Sequence, residues 1–461
     1  NQGAGGVDRV SLSTFEAKLE ENLQQLLEEL KTKTYAPKSV LRRYILKNNG
    51  KKRPLWLPTV RDKVVHQAVV NILQPLYEMK FHDASCGYRP NRGAFNAFLK
   101  IIYLMERRYV WVYDADINGY FDNIDHKLLL RIMRRDVADS SILNLVRMWL
   151  KAGVVENGVR SFSKTGTPQG GTVSPLLANI YLNEVDWALE AAQVQFVRYA
   201  DDILVFAQRG EDAIQAGEML KAAISSLKLE LSPEKTRMVR LVEQQTENGR
   251  TIPEVDYLGV TIQRWFRKRN GKWSFGFKCT PRATRSFKEA VKELTPKTHT
   301  PSLAALVERL NPKIRGKCSH WAQAAKAVCF YREARGECRC SIALLAQQGA
   351  KLDTYVRKRI RRCRIPSRGG RKTYRKANML SITYSHERFV GAGLAYAERI
   401  IRDKASGQPM TDRDFLSVIK ERRTKKKAVK QRSKAHDIEY WAKRHAACDR
   451  AMERLRRFES K

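Results

Sequence analysis

A chain of 461 residues with 43% hydrophobic content is long enough for about two to four domains with sizeable cores, which excludes a disordered tail. No run approaches the ~20 apolar residues that span a bilayer. The opening Asn1-Gln2-Gly3-Ala4-Gly5-Gly6 has no signal-peptide core, so a cytoplasmic protein whose natural start need not be Asn1 is expected. Eighty-seven Lys and Arg against 48 Asp and Glu give a net charge of +39, which predicts a polyanionic partner, nucleic acid first. Residues 351–461 hold 33 basic and 12 acidic residues, an excess of 21. A solvated basic face is the plain alternative, but such a concentration favours an RNA or DNA surface. No basic helix with exposed bulky apolar residues accompanies it, so no membrane partner is expected.

Leu19, Leu23, Leu26, Leu27 and Leu30 recur at helical spacing, and predict one amphipathic helix across residues 10–34. "SVLRRYILKNNGKKRPLWLP" reads as a basic β-hairpin turning at Asn48-Asn49-Gly50. "TVRDKVVHQAVVNILQPLYEMKF" follows as a helix, with Asp62 in its first turn. "RRYVWVYDADINGYFDNID" is a strand that turns polar at its C-terminal end, and helical segments continue to Leu150. In "TGTPQGGTVSPLLANIYLNEVDWAL", Ser174 is a candidate helix cap and Pro175 suits the first helical position.

"FVRYADDILVF", residues 196–206, reads as a β-hairpin with Asp201 and Asp202 at its tip. Turns favour Asp, yet the usual Gly or Asn neighbour is missing, which asks for a ligand. A helix over 211–227 and strands in "LSPEKTRMVR" and "VDYLGVTI" complete an α+β layer with a mostly antiparallel sheet. Beyond residue 281 the chain reads as basic helix, broken at Pro312, at 366–370 and near Gly407-Gln408-Pro409. Four of the eight cysteines cluster as Cys318, Cys329, Cys338 and Cys340, without Cys-x2-Cys pairs. Reduced thiols rather than zinc ligands are expected.

Asp116 ends a buried-looking strand that adjacent pairing could bring beside Asp201 and Asp202. Asp114 and Asp122 are rivals for the third place, behind Asp116, which alternates correctly with the apolar residues and closes the strand. Three ionised carboxylates at one point need cations, and two Mg²⁺ ions between them suit in-line phosphoryl transfer.

Asp116 with "NGYFD", "PQGG" at 168–171 and "YADD" at 199–202 resemble a reverse transcriptase palm. The wider pattern resembles the group II intron-encoded reverse transcriptase/maturase family. It includes "GGVD" at 5–8, "GKKRPLWLPTVRDKVVHQ" at 50–67, "SCGYRPNRGAFNAF" at 85–98, "ADINGYFDNIDH" at 115–126, "GTPQGGTVSPLLANIYLNEVD" at 166–186, "LSPEKT" at 231–236 and "VDYLGVTI" at 255–262. "LNPKIRGKCSHWA" at 310–322 and "LDTYVRKRIRR" at 352–362 resemble its thumb and maturase region. The likeness runs from about residue 5 to 376.

The resemblance implies a right-hand polymerase. Its divisions would be an N-terminal extension with fingers at 1–113, a palm at 114–270 (127–165 contributing to the fingers), a helical thumb with maturase domain at 271–378, and a basic, mostly helical nucleic-acid-binding region at 379–461. Asp116, Asp201 and Asp202 would hold the metals with the Ile117 carbonyl. Phe121 would block a ribose 2′-hydroxyl, a core Phe being the alternative. Gln169 and Gly170 would form the shelf under the incoming dNTP, with Lys47 and Arg53 on its triphosphate. Lys235 would protonate departing pyrophosphate, a surface lysine being the alternative. Arg89, Asn91 and Arg92, with the neighbouring Pro90, would follow the template, and Gly259 would let the chain pass the primer.

Trp56 stands where the family carries a small residue, so packing near the fingers should differ. The tail from about residue 379 matches no family pattern, and its lack of paired Cys-x2-Cys motifs leads to the expectation of no endonuclease. The expected partners are intron RNA or another RNA template, a DNA primer and target, and dNTPs. A nucleoid-associated bacterial protein is expected, with an organelle and the oligomeric state left open. Two other readings are a splicing-only maturase and a domesticated reverse transcriptase serving defence or repair.

Overall fold

The computed structural model describes residues 5–46, 52–162, 165–167, 170–242, 244–246, 249–267, 272–296, 302–334, 343–363 and 386–431. They form two compact units. One comprises the chain up to Gly93 with Arg108–Arg240, the other Ala94–Arg107 with the chain from Leu241 onward. The division falls inside the span 114–270 expected as one domain.

The first unit opens with α1 (Leu12–Glu16) and α2 (Leu19–Lys31), where one helix was expected. Lys18 leaves helical geometry at φ −128°, and the Asn22 side chain donates to the Phe15 carbonyl at the break. Of the leucines only Leu26 is buried, whereas Leu19, Leu23 and Leu27 are exposed. The basic hairpin is present as β1 (Val40–Leu46) and β2 (Lys52–Leu57), in register from Leu41 opposite Leu57 to Leu46 opposite Lys52. Its turn, with Lys47, lies outside the described residues.

Helix α3 (Val60–Glu78) begins at Thr59, whose hydroxyl accepts from the Asp62 amide at 3.1 Å. The Asp62 carboxylate takes the Thr59 and Tyr35 hydroxyls at 2.6 and 2.7 Å, so this buried acid is fully engaged. Next in the chain comes α4 (Ala94–Glu106), which belongs to the second unit. The first unit resumes with β3 (Trp111–Asp116), the single turn α5 (Tyr120–Asn123), α6 (His126–Met133), α7 (Ser140–Lys151), β4 (Val154–Glu156) and β5 (Val159–Ser161). Then come α8 (Ser174–Ala191), β6 (Gln195–Tyr199), β7 (Asp202–Ala207), α9 (Gly210–Ser226) and β8 (Arg237–Arg240). Ser174 is not the cap of α8: it lies inside the helix, and Val173 occupies the cap position without a side-chain bond.

Two sheets organise this unit among the described residues. One runs β2-β1-β4-β5; the other runs β6-β7-β3-β8 and is antiparallel throughout. β3 and β7 lie inside the second sheet because their residues are apolar: Val112, Ala115, Ile203, Leu204 and Val205 are each 2% exposed or less. α8 and α9 pack on this sheet, and Tyr181, Leu220 and Ile224 join Phe196 and Val205 in one continuous core.

In the second unit, β9 (Gln244–Thr246) and β10 (Gly249–Thr251) form a small hairpin. β11 (Glu254–Tyr257), β12 (Val260–Arg267) and β13 (Lys272–Cys279) form a three-stranded sheet, so "VDYLGVTI" is itself a hairpin, turning at Leu258-Gly259. Helices α10 (Pro281–Leu294), α11 (Leu303–Glu333), α12 (Ala343–Cys363), α13 (His386–Gly391), α14 (Ala397–Ser406) and α15 (Asp412–Gln431) follow.

Pro312 does not break its helix, contrary to expectation; α11 runs through it. Proline removes one backbone bond, but Leu306, Leu310, Ile314, Cys318 and Trp321 are each 1% exposed or less along the helix. That burial offsets a loss of about 3 kcal/mol. The break near residue 407 is real: Gly407 closes α14 at φ +71°. The break expected at 366–370 lies outside the described residues, as do Cys338 and Cys340. Cys318 and Cys329 share α11 eleven positions apart, roughly 16 Å along a helix, too far to hold one ion together. No helix among the described residues is long and apolar enough to cross a membrane.

Candidate active site

β3 and β7 bring the acids together. Their register places Asp116 directly opposite Asp202, and the hairpin from β6 turns through Ala200 and Asp201. Cα atoms so paired on neighbouring strands stand about 5 Å apart. Ala200 takes φ +58°, filling the left-handed position that Gly or Asn usually occupies.

Of the two rivals for the third place, Asp114 lies two residues back on β3 and pairs with Arg237 at 3.3 Å. Asp122 sits on α5, where desolvation raises its carboxyl and the charge of Arg42 opposes the rise. Asp116 alone of the three faces the hairpin acids across the ladder.

Desolvation, followed by the like charges of Asp201, Asp116 and Asp114, pushes the Asp202 carboxyl up to about 7, while Lys235 pulls it back. Asp202 is nevertheless an exposed residue, so its desolvation is partial. Lys235 Nζ donates to Asp116 Oδ2 at 2.6 Å, setting one positive charge on a cluster of negative ones. Such crowding is what a bound cation relieves, and oxygen donors suit a hard divalent ion. Among the described residues no three His, Cys, Asp or Glu side chains already close around one point. Ile117, which follows Asp116, has a buried side chain and bridges to Leu231. The Ser232 amide donates to the Asp116 carbonyl at 2.8 Å, tying the end of β3 to the segment that carries Lys235.

The other predicted residues are scattered in role. Phe121 is 7% exposed on α5, edge-on to Tyr120 at 5.3 Å and to Tyr88 at 6.4 Å. Gly170 has φ +119°, and a Cβ there would lie 2.6 Å from the Trp56 carbonyl oxygen, so only glycine fits beside β2. Gln169 lies outside the described residues. For Arg53 the structure gives its place on β2, opposite Ile45.

Arg89 departs from the expected template contact. It is 7% exposed, and its guanidinium donates to Glu78 at 2.9 Å and to the His82 and Ser85 carbonyls at 2.8 and 3.0 Å. It braces its own loop. Arg92 bonds the Asp83 backbone carbonyl at 3.0 Å but remains part-exposed, and Asn91 is exposed at φ +58°. Gly259, in the second unit, has φ +75° in the turn whose Leu258 carbonyl lies 2.6 Å from His320 Nε2.

Sequence reasoning did not single out what lies beneath the acids. Arg198 is 0% exposed and forms an ion pair with Asp186 of α8, also 0% exposed. Gly87 abuts the turn: a Cβ on it would stand 2.5 Å from the Ala200 nitrogen. The available signal was an arginine inside the apolar strand "QFVRY", since a buried charge requires a partner. Gly87→Ala is expected to cost about 1 to 3 kcal/mol by forcing the turn aside, lowering the melting temperature by several degrees in differential scanning fluorimetry.

Known proteins resemble this chain in sequence. The family described as reverse transcriptase (RNA-dependent DNA polymerase) matches residues 45–262. Protein YkfC of Escherichia coli is 33% identical over 50% of this chain and 71% of its own length. The group II intron-encoded protein LtrA of Lactococcus lactis is 43% identical over 39% of this chain. Nuclear intron maturase 1, mitochondrial, of Arabidopsis thaliana is 23% identical over 34% of it. The matches span 30% of LtrA and 29% of the maturase, less than a third of either relative.

Proposed function

This chain belongs to the group II intron-encoded reverse transcriptase family, and from that premise we propose that it lengthens a DNA primer by copying an RNA template. The observation that carries the reading is Asp116 opposite Asp202 on paired strands, beside Asp201 and under Lys235. Two Mg²⁺ ions held by Asp116, Asp201, Asp202 and the Ile117 carbonyl would acidify the primer 3′-hydroxyl and steady the triphosphate. Asp202 serves only when ionised, although desolvation first, and then the charges of the neighbouring acids, raise its carboxyl range.

Phe121 limits the room beside the incoming sugar, so a 2′-hydroxyl is excluded and deoxynucleotides are taken. Gly170, lacking a side chain, lets the backbone approach the nucleotide, with Gln169 beside it. Lys235, tethered to Asp116 at 2.6 Å, is close enough to the reacting centre to give a proton to departing pyrophosphate. Lys47, which follows β1 in the chain, and Arg53 of β2 neutralise the triphosphate. In this assignment the β6-β7-β3-β8 sheet is the palm, the β2-β1-β4-β5 sheet belongs to the fingers, and α10–α12 are the thumb and maturase region. Arg92 and Asn91 attend the template, and Gly259 the primer. The basic C-terminal region holds intron RNA or target DNA, giving splicing assistance and intron mobility.

Purified protein with Mg²⁺, dNTPs and a DNA primer on an RNA template should extend the primer, and Asp201→Ala should stop extension while RNA binding persists. RNA binding and splicing assistance without extension by the wild type would leave only the maturase part of the proposal.

A further inference from the structure

We propose that the buried Arg198–Asp186 pair is a positioning device for the acids: Arg198 holds the Ala200 carbonyl and thereby sets where Asp201 and Asp202 point. This rests on the reading of those acids as metal ligands. The Arg198 guanidinium donates from Nε to Asp186 Oδ1 at 2.7 Å and pairs through Nη2 with Oδ2. Its Nη1 reaches Asn179 Oδ1 at 3.0 Å and the Ala200 carbonyl at 3.1 Å. The planar fork therefore joins helix α8 to the residue that immediately precedes the two acids.

Arg198 is also gripped along its backbone. Arg198 N donates to the Ala84 carbonyl at 2.9 Å, and Cys86 N donates to the Arg198 carbonyl at 2.8 Å. Asn179 closes the ring by donating to the Gly87 carbonyl at 2.8 Å, and Gly87 is the glycine that packs on Ala200. A non-glycine residue at φ +58° is strained, and such a conformation persists where its surroundings over-determine it. Here the helix, the 84–87 loop and the guanidinium all do so.

Net stability does not explain the pair, because a buried ion pair is seldom worth more than the apolar residues that could replace it. What apolar residues cannot supply is a donor aimed at the Ala200 carbonyl. Lysine can keep the charge opposite Asp186 but cannot span Asp186, Asn179 and Ala200 at once, which separates charge balance from positioning.

The experiment compares full-length wild type, Arg198→Lys and the charge-neutral double variant Asp186→Asn/Arg198→Gln. Mn²⁺ affinity is read by electron paramagnetic resonance, alongside melting temperature and primer-extension kinetics. Both variants should fold, bind Mn²⁺ about 10- to 100-fold more weakly and lose a similar factor in kcat, with the dNTP KM within about threefold of wild type. If Arg198→Lys does not fold, the double variant carries the same comparison. A folded variant with wild-type Mn²⁺ affinity and kcat overturns the proposal. Wild-type protein whose Mn²⁺ binding is lost in Asp201→Ala, and weakened as stated by the variants, but which extends no primer would instead overturn the polymerase reading and leave the positioning role standing.

Discussion

Asp202→Asn is expected to slow primer extension by about 10³-fold or more, roughly 4 kcal/mol of barrier, while making the metal-free protein more stable at pH 8. Both effects come from one carboxylate. Its folded-state value of about 7 lies above the ordinary 3.8, so the folded chain prefers Asp202 protonated. Any stability this provides is fully present below about pH 4 and is lost as pH rises through about 7. Above that the ionised acid strains the fold, by about 1 kcal/mol once solvent screening of an exposed side chain is allowed for. In EDTA, the melting temperature of the Asn variant should therefore gain on wild type between pH 4 and 7 and hold that lead at pH 8. Mg²⁺ should raise the wild-type value by binding only the folded chain, and raise the variant's less. Equal pH profiles for the two proteins would mean that the folded chain does not raise the Asp202 carboxyl.

Phe121→Ala carries the second large effect, and here the buried setting matters. The ring is 7% exposed and belongs to the main core, so truncation should cost about 3 kcal/mol, a fall in melting temperature of roughly 6 to 12 °C. If the ring also walls off the sugar, the variant that remains folded should incorporate ribonucleotides about 10²-fold more readily relative to deoxynucleotides. Single-nucleotide extension at 20 °C separates the two consequences. Loss of stability with unchanged sugar discrimination would leave Phe121 a core residue only.

Arg89 and Arg198 show how a charge can mislead when its surroundings are unseen. Arg89 lies in a polar loop, where a sequence points to phosphate contacts, yet its donors are taken up by Glu78 and two carbonyls. Arg198 lies in an apolar strand and attracted no role, yet it sits under the acids. The helix break at Lys18 and the continuity of α11 through Pro312 have the same origin, since packing over many residues outweighs the preference of one.

What the sequence by itself determined is the chemistry that its residue types permit: the hairpin tipped by Asp201 and Asp202, the strand ending at Asp116, and the basic charge. Those are local patterns of alternation and composition, which need no knowledge of distant chain. Only the tertiary structure decided that Asp116, preferred on alternation over Asp114 and Asp122, pairs with Asp202, that Lys235 reaches Asp116 across 119 positions, and that Arg198 carries the turn. Each depends on strand register and burial, and these are set by the free energy of the whole core rather than by the residues on either side.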